Sequence, residues 1–105
     1  MRRVVITGMG ALTPIGNNLD TFWTNLKAGV SGAGTITKFD ASKFRAQFAC
    51  EIKDFDLKDH FHVKELRKYD PFSLYALYAV DEAITNGDID FDVLNKDRIG
   101  VIWGS

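Results

Sequence analysis

The segment from Pro71 to Asn86 constrains this chain most. Its body, Phe72 to Thr85, places Phe72, Leu74, Tyr75, Ala76, Leu77, Tyr78, Ala79, Val80, Ala83 and Ile84 around most of a helical circumference. Asp70-Pro71 is an N-cap followed by proline at the first helical position, and Asn86-Gly87 closes the element. A helix apolar nearly all round must be buried on several sides. A domain of two or three strands offers no such place, so this helix asks for more protein around it than 105 residues supply.

Two further runs point the same way. Arg2 to Gly8 carries Val4, Val5 and Ile6 in a row, bounded by glycine, and Ile99 to Trp103 repeats the pattern near the other end. Both read as strands apolar on both faces, the kind found inside parallel sheets. Between them Leu19, Phe22, Trp23 and Leu26 fall at i, i+3, i+4 and i+7, which predicts an amphipathic helix. Asn18 stands as its N-cap, Asp20 lies in its first turn, and Gly29 can end it in the left-handed conformation. Gly29 to Arg45 shows no sustained period and reads as a long connection. Gln47 to Ile52 alternates as a short strand, and Leu57 to Phe61 reads as a helical turn capped by Asp56. The fold class is α/β, with about three strands and two main helices.

Composition excludes several functions. Thirteen basic and 14 acidic side chains leave a formal net charge of -1, without the cationic excess of a nucleic-acid or polybasic membrane binder. One cysteine makes neither an internal disulfide nor a structural zinc set. No apolar run approaches the roughly 18 residues of a membrane span, so the expected location is cytoplasmic.

Four groups of residues invite chemistry. Gly8-Met9-Gly10 follows a strand-like run, yet Thr13 stands where a dinucleotide fingerprint wants Gly or Ala, and the helix starts only near Leu19. These glycines read as backbone devices. Cys50 lies in a strand with no cation beside it in sequence, which fits a buried structural thiol better than a nucleophile. His60 and His62 are two apart, near Asp56 and Asp59, and lack further ligands at metal spacing; they read as a solvated connection. Lys64, Arg67 and Lys68 stand at i, i+3 and i+4. On a helix they form one cationic patch, either a solvated face or a surface that orients an acidic protein partner.

In combination these residues carry a resemblance. The opening Arg2-Arg3-Val4-Val5-Ile6-Thr7-Gly8-Met9-Gly10-Ala11-Leu12-Thr13-Pro14-Ile15-Gly16-Asn17, then Phe22-Trp23, Ser31-Gly32, Phe39-Asp40, Glu65 to Phe72 and the closing Arg98 to Ser105, resemble the start of a β-ketoacyl-acyl carrier protein synthase. Ser31 to Phe44 is more similar to the elongating type II enzymes than to type I. The resemblance implies a thiolase-like fold of layered αβαβα type, with residues 1–105 as an incomplete first portion of its N-terminal half. It implies an acyltransferase that joins acyl chains to malonyl-acyl carrier protein by decarboxylative Claisen condensation, as a homodimer and without metal or organic cofactor.

The family's nucleophilic cysteine sits in an Ala-Cys-(Thr/Ser) motif that this sequence does not contain, and its two histidines match neither His60 nor His62. The chain alone is therefore expected to be inactive, with no catalytic residue of its own. Lys64, Arg67 and Lys68 match cations that family members present to acyl carrier protein, and Arg67 and Lys68 are expected to matter most. The alternatives are a non-catalytic carrier-protein-binding module or another thiolase-superfamily member.

Overall fold

A computed structural model describes residues 1–104. The chain divides into two compact units, Ala11–Phe55 and Met1–Gly10 with the chain from Asp56 onward.

In the unit Ala11–Phe55, α1 spans Leu19–Lys27. The Asn18 carboxamide accepts from the Thr21 N–H at 2.8 Å, Asp20 lies in the first turn, and Gly29 follows at φ 70°, as the sequence predicts. Leu19 and Phe22 are half-buried, whereas Trp23 and Leu26 remain exposed. Lys27 Nζ sits 5.5 Å from the centroid of the Trp23 ring, a cation–π geometry. The long connection after α1 contains an unforeseen strand, β1 (Gly34–Thr35), which pairs antiparallel with β2 (Phe48–Ala49) in the register Gly34↔Ala49 and Thr35↔Phe48. The alternating run at Gln47 to Ile52 is thus a strand only over its second and third residues. Glu51, just beyond, accepts from Thr37 at its backbone N–H and, at 2.7 Å, its hydroxyl, so side-chain bonds tie the strand ends together.

In the other unit a 3-10 turn at Leu57–Asp59 leads to α2 (Val63–Lys68) and α3 (Pro71–Asn86). Asp56 caps the turn through its carboxylate and the Lys58 N–H at 2.9 Å. Asp70 occupies the N-cap of α3 in extended conformation, and Pro71 supplies the fixed φ of the first turn. Leu74 is the one fully buried large side chain among the described residues, 1% exposed. Most other α3 positions are half-buried, and Phe72 and Leu77 stay exposed.

The N-terminal segment crosses α3 at very close range. A β-carbon on Gly8 would overlap the Ala83 carbonyl oxygen, and one on Gly10 would overlap that of Ala79. Only glycine permits this approach, and the Met9 N–H completes it by donating to Asn86 Oδ1 at 3.0 Å.

Two strand assignments need correction. Arg2 to Gly8 and Ile99 to Trp103 form no strand among the described residues; the only sheet there is β1-β2. Instead of three strands and two main helices, the described residues form three α-helices and one two-stranded sheet. A strand exists through ladder bonds to a neighbour, and these segments have none here, which leaves Val4 90% and Ile102 100% exposed. Their doubly apolar character is a property of the sequence that the described residues do not satisfy.

Candidate functional site

The cationic patch is built from the turn upward. After the 3-10 turn the backbone extends at His62, φ -69° and ψ 149°, and α2 begins. His62 Nδ1 accepts from the Lys64 N–H at 3.3 Å, while Glu65 Oε2 accepts from the His62 N–H at 2.9 Å. This reciprocal arrangement is a capping box with histidine in the place usually held by Ser or Thr. At the other end the Tyr69 N–H bonds the Glu65 carbonyl at 3.0 Å, and Tyr69 leaves the helix in extended conformation two residues before Pro71.

Lys64, Arg67 and Lys68 are all exposed on α2, one and nearly one turn apart, and Leu66 is the half-buried residue that turns inward. The helix on which these cations would share a face is therefore present and brings them together. Lys68 Nζ lies 5.1 Å from the centroid of the Tyr69 ring. Among the described residues none of the three has a carboxylate partner. Arg67 and Lys68 also fall in the last turn, where cations complement the helix dipole. The patch can offer an anionic partner three donors held on one short face.

The remaining candidates do other work. Cys50 is exposed, which corrects the expectation of a buried thiol: β2 ends at Ala49, and no described element covers the residue after it. Its neighbour Glu51 is turned to Thr37 and adds a negative charge, which does not favour the thiolate. His60 packs its ring against Tyr78 at 4.8 Å, edge to face, beside a cleft of about 440 Å³ that Phe61, Glu65, Leu77 and Asp81 also line. His62 is the cap just described, so neither histidine is merely solvated. Among the described residues no group of three His, Cys, Asp or Glu could hold a metal ion. Gly8 and Gly10 serve close packing on α3, in line with the backbone reading.

A second cleft of about 480 Å³ lies within the unit Ala11–Phe55, between the Pro14–Asn18 loop, α1 and Lys53. Its polar side chains hold backbone. Lys53 Nζ donates to the carbonyls of Gly32 at 2.5 Å and Pro14 at 3.3 Å, Asn17 Nδ2 to that of Lys53 at 2.8 Å, and Asn25 Nδ2 to that of Ile15 at 2.6 Å. Sequence reasoning missed these loop-holding roles, because nothing in spacing links residues 10 to 39 apart. The His62 cap was more accessible, since Glu65 stands three residues on, as a capping box requires.

Two carboxyls are held below the usual carboxylate range. Asp40 is lowered by the backbone N–H and then the hydroxyl of Ser42, and Glu51 chiefly by the Thr37 hydroxyl. Both stabilise loop geometry.

Comparison with known proteins defines first a class and then a family. A solved structure titled "The ishigamide ketosynthase/chain length factor" superposes with a TM-score of 0.78 at 35% identity, over 89% of this chain and 23% of that one. The chain has the α/β, thiolase-like fold of a ketosynthase. The family model "Beta-ketoacyl synthase, N-terminal domain" matches residues 1–105, and the chain belongs to this family. It is 45% identical over 104 residues to the 3-oxoacyl-[acyl-carrier-protein] synthase 2 of Staphylococcus aureus (strain COL), and 43% identical to that of Synechocystis sp.. Each alignment covers 99% of this chain, which spans about a quarter of the length of those relatives. Among the described residues no helix is long and apolar enough to cross a membrane.

Proposed function

We propose that the protein carrying this chain is a 3-oxoacyl-acyl carrier protein synthase that elongates acyl chains in fatty-acid synthesis. The observation that carries this reading is the 45% identity, along nearly the whole chain, to relatives named for that activity. The reaction balances without an external oxidant or reductant. An acyl group is held as a thioester on an enzyme cysteine; malonyl-acyl carrier protein loses CO2, and the carbanion so formed attacks the thioester carbonyl. A carbon–carbon bond forms, and the cysteine thiolate leaves. Residues 1–105 form the first portion of the N-terminal thiolase-like half and contribute no catalytic group. Cytoplasmic location and homodimerisation belong to the same reading.

The contribution of this portion is recognition. Lys64, Arg67 and Lys68 dock acyl carrier protein through an acidic helix of that partner, because three exposed cations on one short helical face suit a row of carboxylates. Condensation measured over a range of malonyl-acyl carrier protein concentrations tests this. Arg67→Glu with Lys68→Glu is expected to raise KM about tenfold or more, equivalent to about 1.4 kcal/mol, with kcat little changed and the salt dependence of KM flattened. An unchanged KM would remove the docking role, and absence of condensation by the unaltered protein would remove the enzyme reading.

A further inference from the structure

We infer that His62 is a positioning residue for carrier-protein docking, holding Lys64, Arg67 and Lys68 on one ordered face by capping α2. The inference rests on α2 being the docking helix. α2 has six residues and no fully buried side chain. A helix of that length is not stable in water from its own backbone bonds, so its order depends on its ends. At the N-terminal end the imidazole takes the N–H of Lys64, which is itself one of the three cations, and Glu65 returns a bond to the His62 backbone. Loss of the imidazole frees the turn that carries Lys64 and leaves Glu65 holding only one side of the box.

Histidine makes this cap conditional where serine would not. Nδ1 accepts only in the neutral tautomer that carries its proton on Nε2. A second proton turns Nδ1 into a donor and places positive charge at the positive end of the helix dipole, next to Lys64. The other charged or titratable groups of this region are Glu65, Arg67 and Lys68 on α2, Lys58, Asp59 and His60 of the preceding turn, and Asp81 and Tyr78 of α3. The carboxylates soften the charge but cannot restore the acceptor lone pair.

The test uses the whole enzyme, with acyl carrier protein as the probe and hydrogen exchange across α2 as a second readout. His62→Ala is expected to raise KM for malonyl-acyl carrier protein about fivefold, the factor that a typical N-cap loss of about 1 kcal/mol converts to, with kcat unchanged and exchange in α2 accelerated. His62→Ser should restore both. If Arg67→Glu raises KM while His62→Ala changes neither KM nor exchange, or if His62→Ser does no better than alanine, the His62 inference alone is overturned. If Arg67→Glu is silent, the docking reading fails and the positioning role falls with it.

Discussion

Gly10→Ala is the sharpest test of how the N-terminal segment is held. The new β-carbon would stand 2.8 Å from the Ala83 nitrogen and 3.1 Å from the Ala79 carbonyl carbon, where ordinary contact begins at 3.4 Å, and would overlap the Ala79 oxygen. All three atoms belong to helix backbone, which cannot rotate away as a side-chain tip would. The segment must therefore retreat from α3 by at least about 0.6 Å to clear the nitrogen alone. A retreat of that size stretches the 3.0 Å bond from the Met9 N–H to Asn86 Oδ1 past hydrogen-bonding range. Overpacking of this kind costs about 1–3 kcal/mol, and a lost hydrogen bond adds about 0.5–1.5 kcal/mol. Denaturant unfolding of the protein should thus show a loss of about 2–4 kcal/mol, with faster exchange of the Met9 amide. Gly34→Ala is the control, because its β-carbon would meet only Lys53 Cε, at 3.8 Å. Equal stability of the two variants, or unchanged exchange at Met9, would refute the reasoning.

Other substitutions test the remaining contacts. Asn25→Ala leaves the part-buried Ile15 carbonyl without its 2.6 Å donor, and a cost of about 1–3 kcal/mol is expected in the same unfolding assay. Leu74→Ala empties the best-buried position and should cost about 2–5 kcal/mol; a cost near zero would mean that α3 is not packed there. Cys50→Ser should leave condensation intact, and mass spectrometry should find no acyl group on Cys50; an acylated Cys50 would overturn its exclusion from catalysis. The Glu51 carboxyl is lowered in the folded state, so its bonds to Thr37 stabilise the fold above the ordinary carboxylate value and lose that effect as pH falls through the lowered one. Thr37→Val should therefore be less stable than the parent at pH 7 and converge with it in acid; a gap that widens toward acid would contradict the assignment.

Local signals were legible where a few adjacent residues decide the geometry. Asn18, Asp20 and Gly29 announced α1, Asp56 the 3-10 turn, and Asp70-Pro71 the start of α3, since each acts within one turn of itself. The spacing of Lys64, Arg67 and Lys68 likewise defines the patch, because positions three and four apart share a helix face, and the linear motifs point to the family that the comparisons bear out. Strand pairing was not legible. β1 lies in a stretch rich in Gly, Ser and Thr without period, and it is a strand only because Phe48 and Ala49 come beside it. The exposure of Cys50 escaped for the same reason: burial is decided by what else is near, not by the residue.

The sequence by itself determined α1 and α3, the caps at Asn18 and Asp56 and the spacing of the cationic face, because helical bonds and capping run over three or four residues. It also determined that Val4 to Ile6 and Val101 to Trp103 are apolar on both faces. Only the tertiary structure decided what those properties are used for. It set Gly8 and Gly10 against the backbone of α3, joined Lys53 to Gly32 and Pro14, and paired β1 with β2. It also left the two terminal runs unpaired, since a strand exists only with a neighbour whose ladder it completes.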